Sequence, residues 1–335
     1  MKFTVTLIPA ILFAGVCIQA SDELNREVEL RGHWYFEIGN LESYANPAFD
    51  DSEWETIPVP GNWEDHGFPG YDGYAWYRKH FQIASGLSDD ILYLQLGHVD
   101  DVDRVYLNGH FLNGSGSMPP NFLTAWDRKR LYLIPNSFLN FEGDNCLAVQ
   151  VYDNEAEGGI RKGPVGIYSK WQPFHLTYDL SGLWKFNPGD NPNWDQPGYL
   201  DQAWQTITVP GKWEHHGFPD LDGYAWYRKS FVLPEFMKEN HWIFLLGRID
   251  DIDEVFFNGI RIGQTGRFPE HPDLSAETGY GKMRLYSIPR SILYANRINV
   301  IAVRIYDKGG EGGIYEGPVG FVSRKIYMKR RRYFH

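Results

Sequence analysis

Residues 60–81 read PGNWEDHGFPGYDGYAWYRKHF, and residues 210–231 read PGKWEHHGFPDLDGYAWYRKSF, so the two stretches differ at five positions. The first half of each is dense in Gly, Pro, aromatics and carboxylates, which is the composition of a loop. The second half, from Trp76 or Trp226, reads as the start of a β-strand. What the chain can do depends on whether this loop is a ligand surface or a packed corner.

The duplication extends outward from that stretch. At an offset of 150, Trp34 matches Trp184, Trp54 matches Trp204, and Asn108-Gly109 matches Asn258-Gly259. The second copy then carries four extra residues, and the offset becomes 154: Pro135 matches Pro289, Asp153 matches Asp307, and Glu157-Gly158-Gly159 matches Glu311-Gly312-Gly313. This period is far longer than a solenoid repeat, so each copy reads as a whole domain. The boundary falls near Lys170, giving 21–170 and 171–326, with a basic tail over 327–335.

Each copy holds about eight short β-like runs bounded by turn residues. In the second they are Trp184–Phe186, Trp204–Val209, Trp226–Leu233, Trp242–Ile249, Glu254–Ile262, Arg284–Ile288, Val300–Tyr306 and Val319–Ser323. Asn258-Gly259 between apolar runs is a hairpin signal, because both residues accept positive φ. Helix-period segments are missing between the runs, which argues against crossover α/β units. The reading is all-β: two tandem jelly-roll β-sandwiches.

The amino terminus, Met1-Lys2 followed by an apolar run to Ala20, fits a secretory signal peptide and a secreted or periplasmic product. Ala14-Gly15-Val16-Cys17 resembles a lipoprotein signal, with Val16 where a small residue is expected. No later segment is long and apolar enough to span a bilayer. The formal charge of −11 becomes −12 once Lys2 is removed, which argues against nucleic acid or an anionic membrane as the main partner. Lys329 to Arg332 is read as a solvated tail. Cys146, left alone after cleavage, makes no internal disulfide and reads as a small buried residue.

Trp-Tyr-Arg-Lys-x-Phe, then Leu-Gly-x-Ile/Val-Asp-Asp-x-Asp-x-Val-x-x-Asn-Gly, then Arg-x-Tyr-x-Ile-Pro, resembles the pattern of galactose-binding-like jelly rolls. Such domains flank the catalytic domains of β-galactosidase and β-glucuronidase type glycosidases, and the form with Ile-Asp-Asp-x-Asp and Gly-Gly-Ile also resembles the accessory domains of sialate O-acetylesterases. The resemblance covers nearly the whole mature chain, twice. It implies a carbohydrate-binding or accessory module working with a separate glycan-degrading enzyme. The esterases require a Ser-Asp-His hydrolase domain and the glycosidases an α/β barrel, and neither a Gly-Asp-Ser nor a Gly-x-Ser-x-Gly motif occurs here.

Two constellations bear on function. The first is Asp100-Asp101-Val102-Asp103 with Asp250-Asp251-Ile252-Asp253. In an extended segment Asp101 and Asp103 share one face, as an acid–base pair, as calcium ligands, or as partners of the repeated arginines Arg78, Arg130, Arg228 and Arg284. The structural reading is preferred, with Arg78 pairing Asp101 or Asp103, and Arg228 pairing Asp251 or Asp253. A structural calcium ion is compatible with these acids, and no other cofactor is expected. The second constellation is the loop itself: Trp63, His66, Asp72 and Tyr74, repeated as Trp213, His216, Asp222 and Tyr224, joined by Glu157 and Glu311. Aromatic faces, carboxylates and His suit carbohydrate, whereas the opposing reading has the tryptophans filling the core. Neither His215-His216 nor any other cluster has transition-metal spacing, and no catalytic residue is assigned. A hydrolase built on the repeated carboxylates and a purely structural interaction module are the two alternatives.

Overall fold

The computed structural model describes residues 24–170, 175–269 and 279–331; the expected leader at 1–20 and the end of the tail lie outside them. In the first copy the strands are β1 (Leu24–Glu29), β2 (Gly32–Ile38), β3 (Glu55–Val59), β4 (Gly73–Phe81), β5 (Leu92–Asp100), β6 (Val102–Leu107), β7 (His110–Ser115), β8 (Lys129–Ile134), β9 (Asn145–Asp153) and β10 (Gly159–Lys170). They form a six-stranded sheet, β3-β2-β4-β9-β6-β7, facing a four-stranded sheet, β1-β10-β5-β8. The second copy repeats this with β11 (Tyr178–Asp179), β12 (Gly182–Pro188), β13 (Gln205–Val209), β14 (Gly223–Val232), β15 (Trp242–Asp250), β16 (Ile252–Phe257), β17 (Ile260–Thr265), β18 (Met283–Ile288), β19 (Ile298–Asp307) and β20 (Gly313–Ser323). Its sheets run β13-β12-β14-β19-β16-β17 and β11-β20-β15-β18.

Alternation along the strands explains the layers. Leu92, Leu94 and Leu96 of β5 point into the sandwich against Trp34, Phe36 and Tyr77 of the facing sheet. The second copy does the same with Phe244, Leu246, Trp184, Phe186 and Tyr227. Asn108 and Gly109 have φ of 50° and 81°, and Asn258 and Gly259 have 50° and 79°, so both hairpins use the mirror-image turn that the dipeptide favours.

The opposite face of the six-stranded sheet is also covered. Residues 41–54 fold across it and place Tyr44 edge-on to Trp54 at 4.7 Å and to Trp76 at 6.0 Å. Trp194, Tyr199 and Trp204 cover Trp226 in the same way. The strands begin at Gly73 and Gly223, three residues before the expected starts, and Trp76 and Trp226 fill this outer layer, not the sandwich interior.

Arg324–Arg330 form a short helix capped by Ser323, whose Oγ accepts from Ile326 N at 3.3 Å. Ile326 and Tyr327 pack on Ile243, Leu245 and Val322, so the helix docks on the second sandwich just before the basic run, whose Lys329 is exposed. The two copies touch through β7. Thr208 Oγ1 donates to Phe111 O at 2.6 Å, His215 Nδ1 lies 3.0 Å from Asn113 Oδ1, and the His216 ring sits edge-on to Phe111 at 4.9 Å.

Candidate functional site

The repeated loop is first of all a packed corner. Trp63 and Trp213 are 0% exposed, so neither ring offers a face to a ligand. The Trp63 indole donates to Tyr71 O at 3.0 Å and lies against Phe36 at 5.9 Å. The Gly-Gly pair exists for these rings: a Cβ on Gly158 would lie 2.1 Å from Trp63, and one on Gly312 2.0 Å from Trp213. His66 is half-buried, and its counterpart His216 is turned into the junction between copies. Asp72 and Asp222 stay exposed. Tyr74 and Tyr224 lie half-buried on the outer face, against Tyr152 at 4.7 Å and Tyr306 at 4.8 Å. Arg304 lies over the Tyr224 ring at 4.7 Å and bonds Asp190. Glu157 pairs with Arg161, while Glu311 pairs with Lys212 and, at 3.4 Å, with Arg128 of the first copy.

The arginine partners differ from those expected. Arg78 Nε donates to Asp51 Oδ2 at 2.6 Å, and Arg228 Nε to Asp201 Oδ2 at 2.8 Å. Both acids come from the segment folded over the outer face, on which Arg78 and Arg228 lie beside Trp76 and Trp226. Asp103 and Asp253 are instead held by Arg130 and Arg284, each at 2.7 Å, with Tyr132 and Tyr286 donating to the second oxygen. Both pairs are fully buried, and every carboxylate oxygen has a partner. Asp103 and Asp253 therefore have no free oxygen to offer as acid, base or calcium ligand.

Those buried arginines also hold up an aromatic ring. Arg130 Nη1 donates to the carbonyls of Ala125 and Arg128, which flank Trp126, and its Nη2 donates to Asp101 O at 3.0 Å. Arg284 donates to Gly279 O and Lys282 O, each at 2.6 Å, flanking Tyr280, and to Asp251 O at 2.9 Å. Trp126 is 56% exposed and Tyr280 64% exposed. Tyr280 also stacks on Tyr315 at 6.1 Å. Trp126 and Tyr280 are 154 residues apart, the offset of the second half of the repeat. Sequence reading passed over them because the surrounding residues have drifted; the offset was the available signal.

Beside each ring lies an acidic end of the sandwich. Ligand oxygens of Asp100, Asp101 and Asp153 lie within 4.8 Å of one another, as do those of Asp250, Asp251 and Asp307. Burial, and then the charges of Asp101, Asp100, Asp72 and Glu64, push the Asp153 carboxyl up to about 8. Burial pushes Asp307 up to about 6 despite the Gly309 amide, with Asp251 and Asp222 adding to it. Asp250 is pushed up to about 7 by burial and by Asp251. Asp101 is otherwise satisfied by Thr124 and by the amide of Asn154 at 3.1 Å, and Asp100 by Arg161.

Residues 41–157 match a family model described as the beta-galactosidase second all-beta domain. A β-galactosidase of Bacteroides ovatus, BoGH2A, is 27% identical over 186 residues, covering 48% of this chain and 20% of that protein. A β-glucuronidase of Formosa agariphila is 27% identical over 132 residues, covering 33% of this chain and 13% of that protein. The chain resembles the accessory β-sandwich domains of these glycosidases. It spans a fifth or less of the length of these two relatives. A β-glucuronidase structure from Bacteroides uniformis covers 84% of this chain and 27% of its own, at 15% identity and a TM-score of 0.36. The accessory-domain likeness supports a module related to glycan degradation. Among the described residues no helix is long and apolar enough to cross a membrane.

Proposed function

We propose that the protein is an exported, non-catalytic module that recognises carbohydrate and supports a separate glycan-degrading enzyme. The observation that carries this is the repeated display of one exposed aromatic ring, Trp126 or Tyr280, on a turn whose two flanking carbonyls are bonded by a buried arginine. Sugar C–H faces stack on such rings, and a ring held in place beforehand loses little freedom on binding. Polar groups suited to hydroxyls accompany the Tyr280 ring: Arg248, which donates to Gly281 O at 2.9 Å, and its partner Glu316; His98 and Lys162 stand at the matching positions of the first copy. These sets differ, so the two copies are expected to prefer different sugars. The aromatic platform replaces Trp63 and Trp213 as the stacking surface; Asp72 and Asp222 remain exposed, whereas Tyr74 and Tyr224 are half-buried, Tyr224 beneath Phe268 and Arg304.

A hydrolase built on the repeated carboxylates fits less well, because Asp103 and Asp253 are sealed by arginine and tyrosine. The test is a glycan array probed with the mature chain, alongside turnover assays on aryl glycosides and aryl acetates. Glycan binding without turnover is expected. No glycan bound, or turnover that disappears in Asp101→Asn or Asp251→Asn with the fold intact, would overturn the proposal.

A further inference from the structure

The acidic ends of the two sandwiches contain something that neither sheet packing nor sugar recognition explains. Asp153 is 0% exposed, yet neither of its oxygens receives a hydrogen bond. Asp307 is likewise 0% exposed; its Oδ1 accepts from Gly309 N at 3.1 Å, and its Oδ2 is left without a partner. Oε2 of Glu64, in electrostatic reach of Asp153, is also buried and unpartnered. A buried carboxylate without a donor is strongly disfavoured, and here two more carboxylates stand against it. Groups of this kind are retained when a cation or a shared proton fills the space between them.

We propose that each sandwich binds one calcium ion, held in the first copy by Asp100, Asp101 and Asp153 and in the second by Asp250, Asp251 and Asp307. The donor set is oxygen only, which suits a hard cation and not a transition metal. Ligand oxygens lying within 4.8 Å of one another can converge on an ion that holds oxygens at about 2.3–2.6 Å. The arrangement occurs twice, at matching positions of the repeat, with the unpartnered carboxylate at the end of β9 and of β19. The acids differ from those that sequence spacing suggests. Asp103 and Asp253 are closed off by arginine, while Asp153 and Asp307 arrive from a different strand.

The two sites are not equivalent. Arg161 already compensates Asp100, whereas Tyr315 stands at the corresponding position in the second copy, and among the described residues no ion pair is made to Asp250, on which Arg284 acts only through space. The second site therefore carries one more uncompensated negative charge and is expected to bind more tightly. These sites do not depend on the glycan reading.

The experiment is calorimetric titration of the chelator-treated full chain with calcium chloride alone, with total bound metal counted by elemental analysis. Two ions per chain are expected, the tighter one lost in Asp307→Asn and the weaker in Asp153→Asn, each variant keeping one. Should either variant fail to fold, Asp250→Asn and Asp100→Asn, at the half-exposed acids, take its place. No bound calcium at about 1 mM, the weak end of protein calcium sites, would mean a shared buried proton only and would overturn the proposal. So would a stoichiometry that the variants leave unchanged, or magnesium binding in preference to calcium.

Discussion

At the scale of single residues, the buried arginines decide stability and the exposed rings do not. Arg130→Met would strand Asp103 in the core without its cation, a change expected to cost roughly 3–5 kcal/mol. Urea denaturation of the variant checks this, and the loss should be shared by Arg284→Met in the second sandwich. Trp126→Ala and Tyr280→Ala touch only exposed rings, so both should stay within about 0.5 kcal/mol of the parent. A large loss from either ring variant would show that the aromatics are structural. The arginine partners were only half legible in the sequence. Asp51 and Asp201 recur at the offset of 150 just as Asp101 and Asp251 do, but they sit in a loop that sequence spacing does not place above the outer sheet face. Asp103 and Asp253 had the right role and different partners, because the strand carrying Arg130 or Arg284 crosses to the facing sheet.

At the scale of elements, the turn before β10 and β20 is set by the ring it accommodates. Gly158→Ala would drive a methyl group to within 2.1 Å of the Trp63 ring. Overpacking of this kind costs about 1–3 kcal/mol, and Gly312→Ala against Trp213 should behave alike. Thermal melts of the two variants read the effect directly, and an unchanged midpoint would mean that the indole moves freely. Most strand positions, the hairpins at Asn108-Gly109 and Asn258-Gly259, and the two-sheet class were legible from alternation and turn chemistry; the expected run Glu254–Ile262 is two strands joined by its hairpin, and the short edge strand Tyr178–Asp179 was not among the eight expected runs. The layer formed by residues 41–54 was not, because its aromatics have neither strand nor helix period. The exposed Trp126 was also hidden, since an aromatic in a loop reads the same whether it packs or projects.

At the scale of the whole molecule, the junction between copies is sensitive to acid. Burial, then Lys212, holds His215 down at about 4, with Arg128 and Arg104 adding to the depression and Glu311 opposing it. Burial, then His215, holds His216 down at about 3. Both imidazoles stay neutral in the folded chain while the unfolded chain takes up protons below its ordinary value of 6.5. Their contribution is present above that value and is lost as pH falls from 6.5 toward about 4. The raised carboxyls of Asp153, Asp250 and Asp307 act in the opposite sense, so the histidine contribution is read as a difference: between about pH 7 and pH 5 the melting midpoint of the parent should fall relative to that of His215→Gln/His216→Gln. An equal drop in parent and variant would assign acid sensitivity to other groups.

The central claim is that carbohydrate is recognised on the two aromatic platforms. Its most direct measurement is calorimetric binding of an array-identified oligosaccharide to the full chain, to Trp126→Ala, to Tyr280→Ala and to the double variant. Each ring should supply about 1.4 kcal/mol, so each single variant is expected to weaken its own copy's binding roughly tenfold and the double variant to weaken both copies roughly tenfold, with melting unchanged. Full affinity in the double variant would contradict the claim.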